Sequence, residues 1–182
     1  MDKGRYNITT IKKAIAILTR IFNSINIPFA LIGGISLESW GLSRATYDID
    51  FLIIVENHQL QILKDKLKKN KFEPIKTSGL EKWMLRFLFN GIQIDILMAM
   101  DDLTKNALKR RVLKECIGIK TYIASVEDLI LLKLRLSRPR DIDDVISLIN
   151  FNKNTIDREY LKRWVKKLLL TGEWELLKKI LE

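Results

Sequence analysis

The run Ile49-Asp50-Phe51-Leu52-Ile53-Ile54-Val55, with Asp48 just ahead of it, constrains this chain more than any other segment. A stretch so rich in β-branched and large apolar side chains predicts a central strand buried on both faces. Its only polar members are aspartates, and a carboxylate in such surroundings needs a compensating partner. Period-two geometry points Asp48 and Asp50 to one face. A third carboxylate, Asp95, lies mid-strand between Ile94 and Ile96 in the run from Ile92 to Met98. If the two strands are neighbours, three carboxylates converge at one sheet surface and drive up each other's pKa. Divalent cations remove that repulsion, and hard oxygen ligands without thiolate or imidazole suit Mg²⁺ or Mn²⁺.

Upstream, Phe29-Ala30-Leu31-Ile32 reads as a short buried strand that stops at Gly33-Gly34, and a brief helix is expected from about Ser36 to near Gly41. Unhindered backbone N–H groups at such a turn can approach a phosphate, with Ser36 adding a hydroxyl donor. Thirteen residues, 35–47, separate Gly34 from Asp48. That length allows one short helix and a return beside the first strand. Arg44 is close enough in sequence to reach a phosphate as a fork donor.

Residues 8–25 carry Ile11, Ala14, Ile15, Leu18, Ile21 and Phe22 at helical spacing, with Thr9 or Thr10 as the expected N-cap. A helix over 57–70 buries Leu60, Leu63 and Leu67 and leaves its lysines to solvent. Asn90-Gly91 between two apolar runs predicts a hairpin of strands from Trp83 to Phe89 and Ile92 to Met98. From Ser125 the chain turns helical, breaks at Pro139, and continues in helices over about 141–150 and 156–170, with a short one after Gly172. This order predicts an α/β (α+β) fold, a mixed β-sheet flanked by helices, with a C-terminal helical segment.

The sequence has 182 residues and a formal charge of +10, a balance that favours anionic partners such as nucleotides or nucleic acid. One cysteine, Cys116, and one histidine, His58, exclude an internal disulfide and a structural zinc site, and point to a cytoplasmic protein. Cys116 reads as a packing residue and His58 as a surface one. Trp40, Trp83, Trp164 and Trp174 read as core. No stretch reaches the ~18 apolar residues of a membrane span, so no membrane partner is expected.

Ile32-Gly33-Gly34, thirteen residues, Asp48-Ile49-Asp50 and the later Ile94-Asp95-Ile96 resemble the signature of the nucleotidyltransferase superfamily that includes DNA polymerase β. The stretch from Gly33 to Asp50 is especially similar to minimal nucleotidyltransferases, abortive-infection toxin enzymes and some drug-modifying nucleotidyltransferases. The resemblance implies a catalytic core over residues 1–124 with a helical segment over 125–182 packed on it. It implies that Asp48 and Asp50 hold two metal ions, that Asp95 completes the site and accepts a proton from the attacking hydroxyl, and that Gly33 and Gly34 hold the triphosphate of an NTP such as ATP. Many members have Gly-Ser where this chain has Gly33-Gly34, so Ser36 would have to replace that hydroxyl. Lys133, Arg138, Asp141 and Asp144 are similar to a segment beside the active cleft of toxin-like members, against the plainer reading of Lys133 and Arg138 as solvent-facing. The implied reaction transfers a nucleoside monophosphate to RNA, tRNA or a protein, and a toxin would bring an antitoxin partner. The alternatives are a drug-modifying enzyme and a catalytically silent nucleotide-sensing or interaction module of the same fold.

Overall fold

The computed structural model describes residues 8–46, 48–76, 78–80, 82–170, 172, 173, 175, 177 and 178. Trp174, the segment before Ile8 and parts of the short helix expected after Gly172 lie outside the described residues. Helix α1 (Ile8–Ser24) leads through Pro28 into β1 (Phe29–Ile32), which runs directly into α2 (Gly33–Ser36) and a tighter helical turn over Leu37–Trp40. Then follow β2 (Asp48–Ile53), α3 (Asn57–Lys69), β3 (Glu73–Ile75) and the hairpin β4 (Met84–Phe89) and β5 (Ile92–Met98). Helix α4 (Asp102–Lys109), the hairpin β6 (Val112–Cys116) and β7 (Ile119–Ile123), and helices α5 (Val126–Leu136), α6 (Pro139–Asn152) and α7 (Arg158–Lys167) complete the order.

Seven strands form one mixed sheet in the order β3-β4-β5-β2-β1-β7-β6. β2 pairs with β1 antiparallel and with β5 parallel, so it sits at the centre, as its apolar run requires. The sheet divides two cores. On one face Ile49, Phe51, Ile53, Ile94 and Ile96 pack with α1 and α3, and on the other Ala30, Ile32 and Leu52 pack with α4 to α7. Alternation therefore sends Asp48, Asp50 and Asp95 to the second face.

Local expectations hold with shifts. Asn90 and Gly91 both have positive φ, 48° and 82°, the backbone a two-residue primed turn demands. Helix α1 already includes Thr9 and Thr10, which are therefore not its cap. The helix expected from Ser36 starts at Gly33, because the chain turns helical as soon as β1 ends. Pro139 opens α6 at its first turn, where a missing N–H costs nothing, instead of only ending α5. Trp83 is 56% exposed, against the core reading, since it precedes β4 at the sheet's margin. Cys116 is buried, as expected of a packing residue.

Candidate active site

The β2–β5 register sets Asp50 beside Asp95 and Asp48 beside Gln93, so the three aspartates share one face of two adjacent strands. Thr46 Oγ1 donates to Asp48 Oδ1 at 2.7 Å. Arg86, on β4 directly opposite Asp95, grips both oxygens of that carboxylate. Asp50 has no such partner, and its carboxyl is pushed up to about 7, first by burial and then by Asp48 and Asp95, with Lys133 and Arg138 pulling the other way.

The diglycine lies against these residues. Gly33 has φ of +70°, and a Cβ there would stand 1.9 Å from Asp50 Oδ2. Only glycine fits that position. A Cβ on Gly34 would fall 2.7 Å from Thr46 Oγ1 and 3.2 Å from Arg44 Nη2. Backbone turn, Asp50 carboxylate, Thr46 and Arg44 thus lie packed together. A cavity of about 260 Å³ opens beside Gly34, lined also by Ile35, Glu38, Arg44, Thr46 and Ile117.

Ser36 is placed differently from the expectation of a phosphate donor. Its residue is fully buried, and its hydroxyl donates to Gly33 O at 2.8 Å, bracing the turn from inside. Arg44 Nε stands 3.0 Å from Asp144 Oδ1, which ties the loop before β2 to α6. Lys133 is buried, against the solvent-facing reading, and its Nζ donates to Asp144 Oδ2 at 2.7 Å and lies 3.4 Å from Asp141 Oδ1. Arg138 Nε donates to the other Asp141 oxygen at 2.5 Å, with most of its side chain exposed. Helices α5 and α6 thereby bring two cations into the electrostatic surroundings of Asp50.

Two residues at this site were missing from the sequence reading. Arg86 carries no local signal beyond its place in a hairpin, although counting back across Asn90-Gly91 does set it opposite Asp95. Thr46 could have been found by its position two residues before Asp48. Among the described residues no three His, Cys, Asp or Glu side chains are already gathered into a metal cage. The donor chemistry nonetheless fits a hard divalent cation: oxygens only, on a face where burial and like charge make Asp50 hard to ionise.

A family model described as "Nucleotidyltransferase of unknown function (DUF6036)" matches residues 7–179. No curated protein matches the chain. Among solved structures, the fold is similar to the antibiotic-resistance factor ANT(2'')-Ia, at 13% identity and TM-score 0.64, over 94% of this chain and 96% of that one. It is similar to the lincosamide antibiotic adenylyltransferase LnuA, at 14% identity and TM-score 0.58, over 77% of this chain and 97% of that one. An antigenic nucleotidyltransferase-like protein from Paracoccidioides brasiliensis is 20% identical with TM-score 0.57, over 95% of this chain and 92% of that one. At these identities the likeness is one of fold.

Proposed function

Because the chain belongs to the nucleotidyltransferase family described as being of unknown function (DUF6036), we propose that it transfers a nucleoside monophosphate from an NTP to an acceptor hydroxyl, with Mg²⁺ or Mn²⁺. The observation that carries this reading is the convergence of Asp48, Asp50 and Asp95 on one sheet face, with Gly33 pressed against Asp50. Asp48, Asp50 and Asp95 would hold the cations. Bound there, a divalent cation supplies charge neutralisation at the triphosphate and at the acceptor oxygen. Gly33 and Gly34 would present their backbone to the triphosphate, and the missing Cβ atoms leave room for Asp50, Thr46 and Arg44 to pack against the same turn. Lys133 and Arg138 place positive charge on the helical side of Asp50, where the polyphosphate gathers its own negative charge. Arg44 holds the loop before β2 to α6 through Asp144, and its guanidinium lies beside Gly34 within reach of the same phosphates. Asp95 takes the role of proton acceptor for the attacking hydroxyl. Residues 1–124 serve as the catalytic core, with 125–182 as the helical segment that closes its second face.

The net charge of +10 supports an anionic acceptor, RNA or tRNA, or else a protein, with an antitoxin as the accompanying partner of a toxin. A second reading, modification of a drug, draws on the fold likeness to ANT(2'')-Ia and LnuA. Charge repulsion ranks a cationic drug below a neutral one. Incubation of the protein with each α-labelled NTP, Mg²⁺ and total RNA, lysate or a drug panel tests both. Label in a macromolecule that disappears with Asp48→Asn/Asp50→Asn supports the first, and label in a drug supports the second. No label in any acceptor, together with no Mg²⁺-dependent thermal shift by any NTP, leaves the silent module.

A further inference from the structure

A row of charged side chains crosses the acidic face, one from each of three neighbouring strands. The β4–β5 register sets Arg86 opposite Asp95, and the β2–β5 register sets Asp95 beside Asp50. Arg86 meets Asp95 as a fork: Nε donates to Oδ1 at 2.7 Å and Nη2 donates to Oδ2 at 2.8 Å. Gln93 Nε2 donates to the same Oδ2 at 3.2 Å. Each carboxylate oxygen has two lone pairs. Oδ2 is therefore filled, and Oδ1 keeps one lone pair for anything else. The Asp95 side chain is 11% exposed and that of Arg86 33%, so the pair is shielded from water on most sides.

Among the described residues Arg86 is the one Lys or Arg in ion-pair contact with any of the three aspartates. Lys133, Arg138 and Arg44 make their ion pairs with Asp141 and Asp144 instead. A guanidinium does not give up its proton, so its charge is a fixed property of the site. The fork also fixes the plane of the Asp95 carboxylate, which a single-point contact from an ammonium could not do.

We propose that Arg86 is the resident counter-cation of this acidic face: it neutralises Asp95 before a divalent cation enters, and it competes with that cation for the carboxylates. The proposal rests on the metal-dependent reading above. While Arg86 is in place, Asp95 has one lone pair, on Oδ1, to offer either to an incoming cation or to the proton of the attacking hydroxyl, and the cation binds against a nearby positive charge. Divalent cations are accordingly held more loosely than three free carboxylates would hold them, and the metal-free protein does not carry three uncompensated charges.

Mn²⁺ binding to the full-length protein, followed by the loss of the free-ion electron paramagnetic resonance signal, tests this without any turnover. Arg86→Gln removes the charge and the fork, whereas Arg86→Lys keeps the charge alone. The expected result is an Arg86→Gln protein that binds Mn²⁺ about tenfold more tightly than wild type, with Arg86→Lys close to wild type, because the repulsion follows the charge. The metal-free Arg86→Gln protein should melt lower than wild type, and Mg²⁺ should raise its melting temperature by more than it raises that of wild type. If Arg86→Gln does not fold without metal, Mn²⁺-driven recovery of its circular dichroism is the equivalent supporting result. Mn²⁺ affinity in Arg86→Gln equal to or weaker than wild type, while Asp48→Asn/Asp50→Asn abolishes binding, overturns the counter-cation role and leaves the metal site standing. Absence of Mn²⁺ binding by both wild type and Arg86→Gln overturns the metal site and this role together.

Discussion

Two clusters of acid in this molecule, one buried and one half-buried, are built in opposite ways. Asp128, with no solvent exposure, has both oxygens engaged: Oδ2 accepts from Ser125 Oγ at 2.7 Å and Arg110 Nε at 3.3 Å, and Oδ1 accepts from the Tyr160 hydroxyl. Its neighbour Glu127 accepts from Arg110 Nη2 at 3.0 Å and from the Asp157 backbone N–H at 3.1 Å. Arg110 also stacks 3.8 Å over the Tyr160 ring, and Asn106 donates to the Tyr160 oxygen. These contacts tie α4, α5 and α7 together. Burial raises the carboxyls of both Asp128 and Asp50, but at Asp128 hydrogen bonds from Tyr160 and Ser125 pull the other way. Asp50, by contrast, receives no hydrogen bond among the described residues and is pushed further up by Asp48 and Asp95. An acid whose every oxygen is answered from within the chain holds helices in place. An acid left short is available to something from outside.

That contrast is breakable, beginning with the largest effect. Asp50→Asn should lower nucleotidyl transfer by about three orders of magnitude, roughly 4 kcal/mol of barrier, while the metal-free melting temperature holds or rises. Transfer within tenfold of wild type in the labelling assay would place the chemistry elsewhere. Asp128→Ala should do the reverse. It leaves Arg110, Ser125 and Tyr160 without their partner and should cost about 3–5 kcal/mol in urea unfolding, with activity per folded molecule kept.

Gly33→Ala sits between the two, since a Cβ at φ +70° must displace the Asp50 carboxylate. A loss of about 1–3 kcal/mol in stability together with a clear drop in transfer is expected. Loss of stability alone would separate the turn from the chemistry.

The metal-free protein should also show a pH signature. Because Asp50 holds its proton up to about 7 when folded and only to 3.8 by its ordinary value, the folded state binds more protons between those limits. Stability must then fall as pH rises from about 4 to about 7 and level off above, by linkage. Asp50→Asn should abolish that slope in thermal melts, and a slope unchanged in the variant would assign it to another group. The smallest effect belongs to the surface: Arg135→Ala, which breaks a largely exposed pair with Asp101, should cost under about 1 kcal/mol and leave transfer intact.

The parts of the fold written in local pattern were legible: the apolar strand with its paired aspartates, the Asn90-Gly91 hairpin and the diglycine stop after Ile32. Strands β6 and β7 were not read, for a physical reason. In β6 Leu113 lies outward at 50% exposure while Lys114 stacks over the Trp40 ring, so the alternation that betrays a strand is inverted. Strand β3 is three exposed residues with Pro74 at its centre, too short and too polar in setting to leave a pattern. At the site, residue type and spacing named the carboxylates. Which cation answers which acid is decided by the fold: Arg44 meets Asp144 from a distant part of the chain, and Lys133 meets Asp141 and Asp144 across the break between α5 and α6.

The fork between Arg86 and Asp95 also bears on how the hairpin finds its alignment during folding. A slip of β4 by one residue would turn its greasy side outward and is penalised at once. A slip by two keeps Leu85, Phe87 and Phe89 facing inward, and the apolar pattern cannot detect it. Such a misalignment would set Met84 or Leu88 across from Asp95, stranding a carboxylate against a thioether or an isobutyl group. The ion pair thus acts as a checkpoint for strand alignment, rejecting the one error that oil-and-water sorting would let through.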